Sequence, residues 1–147
     1  MSKNTFFEGI EVMQREQKPR EKGITMMIDW GLGLLSQEDI LQIASSYIDL
    51  AKVAVGISRM VTKDFLIEKN ALYRRFNVNP FPGGMLLELV IHQYKKRRKD
   101  ALEAVKIYYE ESRRVGYTVM EVSDNVIHIT PQEKKTIISL AVEEFGY

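Results

Sequence analysis

The chain of 147 residues contains no cysteine. Disulfide bonds, catalytic thiols and cysteine-ligated metals are therefore excluded. The two histidines, His92 and His128, are too few and too far apart in sequence to favour a histidine-based metal site. Lysine and arginine number 21 against 20 aspartates and glutamates. The resulting net charge of +1 gives no electrostatic reason to expect nucleic acid or a membrane surface as a partner.

Long apolar runs are also missing. No stretch approaches the ~18 residues of a membrane span. The first 20 residues are polar and mixed in charge, without the hydrophobic region of a secretory signal. These features predict a cytoplasmic protein. The length suits one domain with a real core, but a closed (β/α)8 barrel typically needs about 250 residues.

Four short apolar runs alternate with helical patterns along the chain. The runs predict strands at residues 24–28, 47–53, 78–81 and 117–122. Ser36 and Thr62 are predicted helix N-caps, and Thr130 is predicted to form a capping box with Glu133. The basic run 95–99 predicts a break between two helical stretches. Residues 1–20 are predicted to form an N-terminal arm and residues 21–147 a domain.

This alternation predicts an α/β fold of four consecutive βα units with parallel strands and right-handed crossovers. Such an arrangement resembles the first half of a TIM (β/α)8 barrel. In parallel α/β folds, ligands bind at the carboxyl ends of the strands. The residues that follow each predicted strand are therefore the candidates for function.

Charged and glycine residues follow all four predicted strands. Lys52 and Glu121 each interrupt an apolar strand, which is costly unless the charge is paired or binds a ligand. Carboxylates at these ends are suited to a hard cation, a lysine to an anionic substrate, and glycines before a helix to an anion. The other candidates are Asp29, Ser58, Arg59, Gly83, Gly84, Glu88, Ser123 and Asp124.

The same residues carry a family resemblance. The sequence contains the following blocks in order: Lys18-Pro19-Arg20-Glu21-x-Gly23-x-Thr25-Met26, Asp29-x-Gly31, Tyr47-Ile48-Asp49-x-x-Lys52, Pro82-Gly83-Gly84-x-x-x-Glu88 and Glu121-Val122-Ser123-Asp124. Together they resemble phosphosulfolactate synthase from about residue 18 to the C-terminus. No single block is diagnostic, but five in register make the resemblance specific.

The resemblance implies a (β/α)8-barrel lyase that uses magnesium. It would add sulfite to phosphoenolpyruvate to give 2-phospho-3-sulfolactate, on the route to coenzyme M. Under this reading Lys52 and Glu121 are catalytic, and the metal ligands are Asp29, Glu88 and Glu121. The predicted substrate-binding residues are Ser58, Arg59, Gly83, Gly84 and Ser123.

The sequence also departs from the family pattern. Ala54 and Asn125 stand where the family has glycine, and Ile57 and Met85 stand where it has threonine. Two hydroxyl donors are thereby lost near the expected anionic substrate. The family's next strand, with a Ser-Glu-Val-Gly-Lys-Lys-like segment, and the phosphate loops expected after the seventh and eighth strands are not in this sequence. We therefore expect an incomplete active site.

Several alternatives stay open. Lys52 would be structural if it paired with Asp49 or Glu121, and Asp29 or Ser123 would serve only a local turn. For the whole chain, the alternative is a non-catalytic half-barrel that completes its fold with a second copy, as a homo-oligomer, or with another partner. A third, weaker alternative is a related phosphate-ester enzyme of altered specificity, suggested by Ile57 and Met85.

Overall fold

A computed structural model describes residues 9–10 and 15–147. The strands are β1 (Met26–Asp29), β2 (Leu50–Val53) and β3 (Asn79–Pro82). The helices are α1 (Leu34–Ala44), α2 (Ile57–Met60), α3 (Lys63–Arg75), α4 (Gly84–Lys96), α5 (Ala101–Arg114) and α6 (Pro131–Glu143), with a 3-10 turn at Ser45–Tyr47. None of these helices is both long and apolar enough to cross a bilayer.

The three strands form one parallel sheet in the order β1-β2-β3. Its register aligns Ile28 with Lys52 and Lys52 with Phe81. Because side chains alternate between the faces of a sheet, these three side chains share one face. Asp29 and Val53, one position further along, lie on the opposite face. The face on which each charged side chain lies decides which other charged side chains it can contact.

The predicted fourth strand is not formed, so the structure has three strands rather than four within the described residues. Residues 117–122 run beside β3, and the Thr118 N–H donates to the Pro80 carbonyl at 3.0 Å. Backbone groups of successive residues point to opposite sides of a strand, so Pro80 and Pro82, two positions apart, both face this segment. Proline has no N–H. Since β3 has no donor on this side, a regular ladder cannot continue.

Within the part of the chain that the structure describes, helices cover one face of the sheet and not the other. A core of Leu41, Ile48, Ala51, Leu72, Tyr73 and Val78 joins α1 and α3 to that face. A second core lies among α4, α5 and α6 and is built from Leu87, Ile91, Val105, Tyr109, Ile129, Ile137, Leu140 and Ala141. On the other face, Met26 and Ile28 are each 46% exposed. The face that a closed barrel would turn inward is thus open at β1.

Several predicted helix boundaries agree with the structure. The Thr62 side chain accepts from the Phe65 N–H, and Thr130 forms the capping box with Glu133. The break at the basic run is confirmed, because α4 ends at Lys96 and α5 begins at Ala101. The Ser36 cap is wrong: α1 begins at Leu34 after Gly33. The short helix α2 was not predicted.

The predicted N-terminal arm lies partly outside the described residues, which omit 1–8 and 11–14. Its end contacts the amino-terminal edge of the sheet. Arg20 forms an ion pair with Asp49 at 2.6 Å, and Arg15 donates to the Thr25 hydroxyl at 2.8 Å. Asp49 is therefore engaged at the edge opposite the predicted site.

Candidate active site

Lys52 and Glu121 meet at the carboxyl ends of the strands. The Lys52 Nζ donates to Glu121 Oε1 at 2.8 Å, although the two residues are 69 positions apart. The other carboxylate oxygen accepts the Gly84 N–H at 2.6 Å, at the start of α4. Both side chains are partly accessible, with 23% of Lys52 and 29% of Glu121 exposed. Of the two structural partners considered for Lys52, the structure selects Glu121.

A cavity of about 190 Å³ opens at this pair. Its lining residues are Ile28, Trp30, Lys52, Ala54, Val55, Gly83, Gly84, Met85, Glu121 and Asn125. Among these residues, Lys52 is the only cation and Glu121 the only anion. Most of the remaining lining is apolar or glycine. The cavity therefore presents one ammonium group and one carboxylate group, which are paired with each other.

The glycines at the start of α4 make room for the pair. A Cβ on Gly84 would lie 2.9 Å from the Ser123 Cβ and 3.1 Å from the Glu121 Cγ. A Cβ on Gly83 would lie 3.4 Å from the Lys52 Cε and 3.0 Å from the Val55 backbone nitrogen. Close approach of side chains thus explains both glycines locally. Their predicted role in binding an anion is not tested by this geometry.

Glu88 is fully engaged with the segment after residue 122. Its Oε1 accepts from the Ser123 hydroxyl at 2.5 Å and the Asn125 N–H at 3.1 Å. Its Oε2 accepts from the Val126 N–H at 2.7 Å and the Ile127 N–H at 3.0 Å. Burial alone raises the pKa of Glu88, but these hydrogen bonds outweigh it and hold the pKa below its usual value. Glu88 and Ser123 therefore fix a loop.

Asp29 lies on the helix side of the sheet and is fully buried. Its Oδ1 accepts from the backbone N–H groups of Gly31 and Leu32, both at 2.8 Å. Its Oδ2 contacts the Lys69 Nζ at 2.5 Å and accepts from the Tyr73 hydroxyl at 2.7 Å. Burial raises the pKa of Asp29, yet the Lys69 and Tyr73 contacts outweigh it, so the net shift is downward.

The three side chains predicted to hold magnesium do not fit one metal site as the structure places them. Asp29 and Glu88 already accept four donors each, and Asp29 faces away from Glu121. Among the residues that the structure describes, no three His, Asp or Glu side chains are grouped so that they could hold a metal. Magnesium remains an expectation from the family resemblance.

The other predicted substrate-binding residues are not part of the cavity wall. The Ser58 hydroxyl lies 2.6 Å from the Tyr117 hydroxyl, and Arg59 is exposed on α2. Ile57, the departure expected to alter specificity, is partly buried and packs against a core that contains Val53 and Tyr117. Met85, the other such departure, does line the cavity. The structure thus joins Lys52, Glu121, Gly83 and Gly84 and leaves Ser58, Arg59 and Ser123 outside.

Sequence reasoning missed Trp30 and Lys69. Trp30 directly follows β1 and lines the cavity. Lys69 falls within the apolar stripe of α3 that includes Phe65, Leu66, Leu72 and Tyr73. A lysine within an apolar helix stripe predicts that its charge is buried and paired with an acidic side chain.

A known protein family matches most of this chain. The family model described as (2R)-phospho-3-sulfolactate synthase (ComA) matches residues 13–146. The chain belongs to the phosphosulfolactate synthase family. This membership confirms the resemblance found in the sequence blocks.

Three curated relatives are each named phosphosulfolactate synthase. The chain is 37% identical to the protein of Methanothermobacter thermautotrophicus over 88% of its own length and 47% of the relative's. Identity is 30% with the Methanocaldococcus jannaschii protein, covering 82% and 45%, and 32% with that of Bacillus subtilis, covering 92% and 50%. The chain therefore spans about half the length of the curated relatives it matches.

Proposed function

We propose that this chain carries out, or contributes half of the site for, the addition of sulfite to phosphoenolpyruvate. The observation that carries the proposal is the meeting of Lys52 with Glu121 at the strand-end cavity, in a chain of this family. The three relatives are named for the synthase that makes the corresponding product. Both substrates are anions, and the cavity's single cation suits them.

The reaction requires the protein to stabilise negative charge on the substrate and to supply a proton. The sulfur lone pair of sulfite forms a C–S bond with the methylene carbon of phosphoenolpyruvate. The π electrons move toward the adjacent carbon, and negative charge develops on the substrate carboxylate. That carbon then takes a proton, so no atom is lost and no oxidant is needed. Magnesium, which the family implies, would supply further charge stabilisation when bound.

Lys52 is the residue suited to this charge. Its ammonium group would bind the carboxylate of the substrate and stabilise it as its charge grows, in a cavity partly screened from water. Glu121 holds the ammonium group through one oxygen and is itself held by the Gly84 N–H. The Lys52–Glu121 pair is also the candidate route for the proton.

Mutation of Lys52 tests the proposal. The intact chain is incubated with sulfite, phosphoenolpyruvate and magnesium, and the phosphorylated product is followed by phosphorus NMR. We expect product from the wild type and a loss of about 100-fold or more in Lys52→Met, because a preorganised charge is removed. Lys63→Met is the matched control, since Lys63 is 71% exposed and pairs with Glu111 on the surface.

Two results would contradict the proposal. If the wild-type chain forms no product, this chain alone is not a lyase of this kind. Equal rates for Lys52→Met and Lys63→Met would leave the family chemistry in place but exclude Lys52 from it.

A second candidate function is a half-barrel that works by association. The observation in its favour is the open sheet face, where Ile24 is 54% exposed and Met26 and Ile28 are each 46% exposed. Contiguous exposed apolar surface of this kind is typical of an interface. Within the described residues, β1 pairs with β2 alone, which leaves its outer edge available to another strand.

A further inference from the structure

A buried ion pair lies directly behind the candidate active site. Lys69 and Asp29 are both fully buried, and their charged atoms are 2.5 Å apart. Lys69 comes from α3, while Asp29 is the last residue of β1. Burying two charges is expensive, and an apolar pair of similar volume is often equally stable. Stability alone therefore does not account for this pair.

All the hydrogen-bonding capacity of the Lys69 ammonium group is used within the fold. Besides Asp29, its Nζ donates to the Leu32 carbonyl at 2.8 Å and to Gln37 Oε1 at 3.2 Å. The Gln37 amide in turn donates to the Lys69 carbonyl at 2.9 Å. One cation therefore links β1, the following turn, α1 and α3. Its three protons are directed to β1, to that turn and to α1, and not to the cavity.

The turn held in this way carries Trp30. Asp29 Oδ1 accepts the Gly31 and Leu32 N–H groups, and Gly31 has a φ of +105°, which favours glycine. Trp30 lies between these fixed points. Its side chain is 69% exposed and forms part of the cavity wall with Lys52 and Glu121. Because the Trp30 ring is not buried in a core, core packing does little to hold it in place.

We propose that Lys69 is a positioning residue that acts through Asp29 to hold Trp30 in place at the wall of the strand-end cavity. It touches neither substrate nor reacting atoms. This inference rests on the proposed function for its effect on turnover, because only then does the position of Trp30 affect a reaction. The placement of Trp30 itself is independent of any activity.

The chain has a single tryptophan, which gives the proposal a direct readout. Incorporation of 5-fluorotryptophan into the full chain yields one fluorine NMR resonance, from Trp30. We expect Lys69→Met to displace and narrow this resonance, because the uncompensated Asp29 carboxylate would pull the turn toward water and free the ring. Circular dichroism of the same sample shows whether the helices remain.

Lys69→Met leaves the buried Asp29 carboxylate unpaired, which strongly destabilises a fold, so a milder variant accompanies it. Tyr73→Phe keeps the ring packed and removes only the hydrogen bond to Asp29 Oδ2. We expect it to move the Trp30 resonance in the same direction by a smaller amount. If Lys69→Met does not fold, an unmoved resonance in folded Tyr73→Phe would overturn the proposal.

Arg20→Met is the matched control, because Arg20 and Asp49 form another largely buried ion pair, at the opposite edge of the sheet. It should leave the Trp30 resonance unchanged. An equal displacement in Arg20→Met and Lys69→Met would mean general loosening and would overturn the positioning role. An unchanged resonance in folded Lys69→Met would do the same.

Turnover separates this proposal from the proposed function. In an active wild type, we expect folded Lys69→Met to lose about 10-fold or more in kcat/KM, because small misplacements in an active site are costly. Unchanged kcat/KM despite a displaced resonance would overturn the link between Trp30 and catalysis. A wild type without lyase activity whose Trp30 resonance still responds to Lys69→Met would refute the proposed function and support the placement of Trp30.

Discussion

Glu88 shows how completely one side chain can organise a loop. Its two carboxylate oxygens accept four hydrogen bonds from the segment 123–127, and only 1% of the residue is exposed. Glu88 lies one turn into α4, which begins at Gly84. Only the tertiary structure shows that its partners come from a segment 35 or more positions away.

The lowered pKa of Glu88 predicts a pH-dependent contribution to stability. The group is more acidic in the folded than in the unfolded chain, so its stabilisation is complete above the usual pKa of 4.5 and is lost as pH falls through the folded value. At pH 7, Glu88→Gln should reduce the free energy of unfolding by about 1.5–3 kcal/mol, because charged hydrogen bonds are lost.

Urea unfolding between pH 7 and pH 3 measures this contribution. The difference between wild type and Glu88→Gln should shrink as the pH falls below 4.5. Glu38→Gln is the control, since Glu38 pairs with Arg75 at the surface and is expected to change stability by less than about 1 kcal/mol. A difference for Glu88→Gln that stays constant over the whole pH range would contradict the argument.

At the scale of elements, the start of α4 depends on the absence of side chains. Gly84 gives its N–H to Glu121 and leaves space for Ser123 and Glu121 against the helix. The sequence predicted that these glycines precede a helix and suit an anion. It gave no information on which side chains would pass so close to them.

Gly84→Ala is expected to disturb the Lys52–Glu121 pair without unfolding α4. The new Cβ would lie 2.9 Å from the Ser123 Cβ, so the segment carrying Glu121 must move. Lyase activity, or binding of phosphoenolpyruvate by calorimetry, should fall by about 10-fold or more. Gly33→Ala is the matched control, because a Cβ at the start of α1 would meet nothing within 4 Å. Equal binding by the two variants would refute the close-approach argument.

The prolines of the third strand, β3, are a sequence signal that a regular fourth strand would not pair with it. Pro80 and Pro82 occupy alternate positions, so every backbone nitrogen on one side of the strand lacks a proton. Proline in a strand predicts an edge. The apolar pattern of 117–122 predicted a fourth strand, and this prediction is wrong: the segment runs beside β3 without forming a strand, and the pattern says nothing about the neighbour's donors.

At the scale of the whole molecule, the sheet has one open face. Its two edges also differ, because the segment 117–122 runs beside β3, whereas no strand in the described residues lies outside β1. Its three strands are covered by α1 and α3 on one face, and the exposed side chains of Ile24, Met26 and Ile28 lie on the other face. Two copies of the chain would bury these faces against each other. The parallel order that the sequence predicted is confirmed for β1, β2 and β3.

We expect the purified chain to form a dimer of twice its 17.0 kDa mass. Ile24→Thr/Met26→Thr should shift it to the monomer, because apolar contact area is lost. Ile43→Thr is the control, since Ile43 is 83% exposed on α1. Sedimentation velocity distinguishes these states. A wild type that sediments as a monomer at all concentrations would contradict self-association.

The sequence by itself determined the order of the three parallel strands and of the longer helices, the caps at Thr62 and Thr130, the family, and the position of Lys52 near the carboxyl end of a strand. These depend on local periodicity and on residue types at fixed spacing. Only the tertiary structure decided the pairing of charges. A shift of one residue in a strand moves a side chain to the other face, so Asp29 pairs with Lys69 behind the sheet while Lys52 meets Glu121 in the cavity.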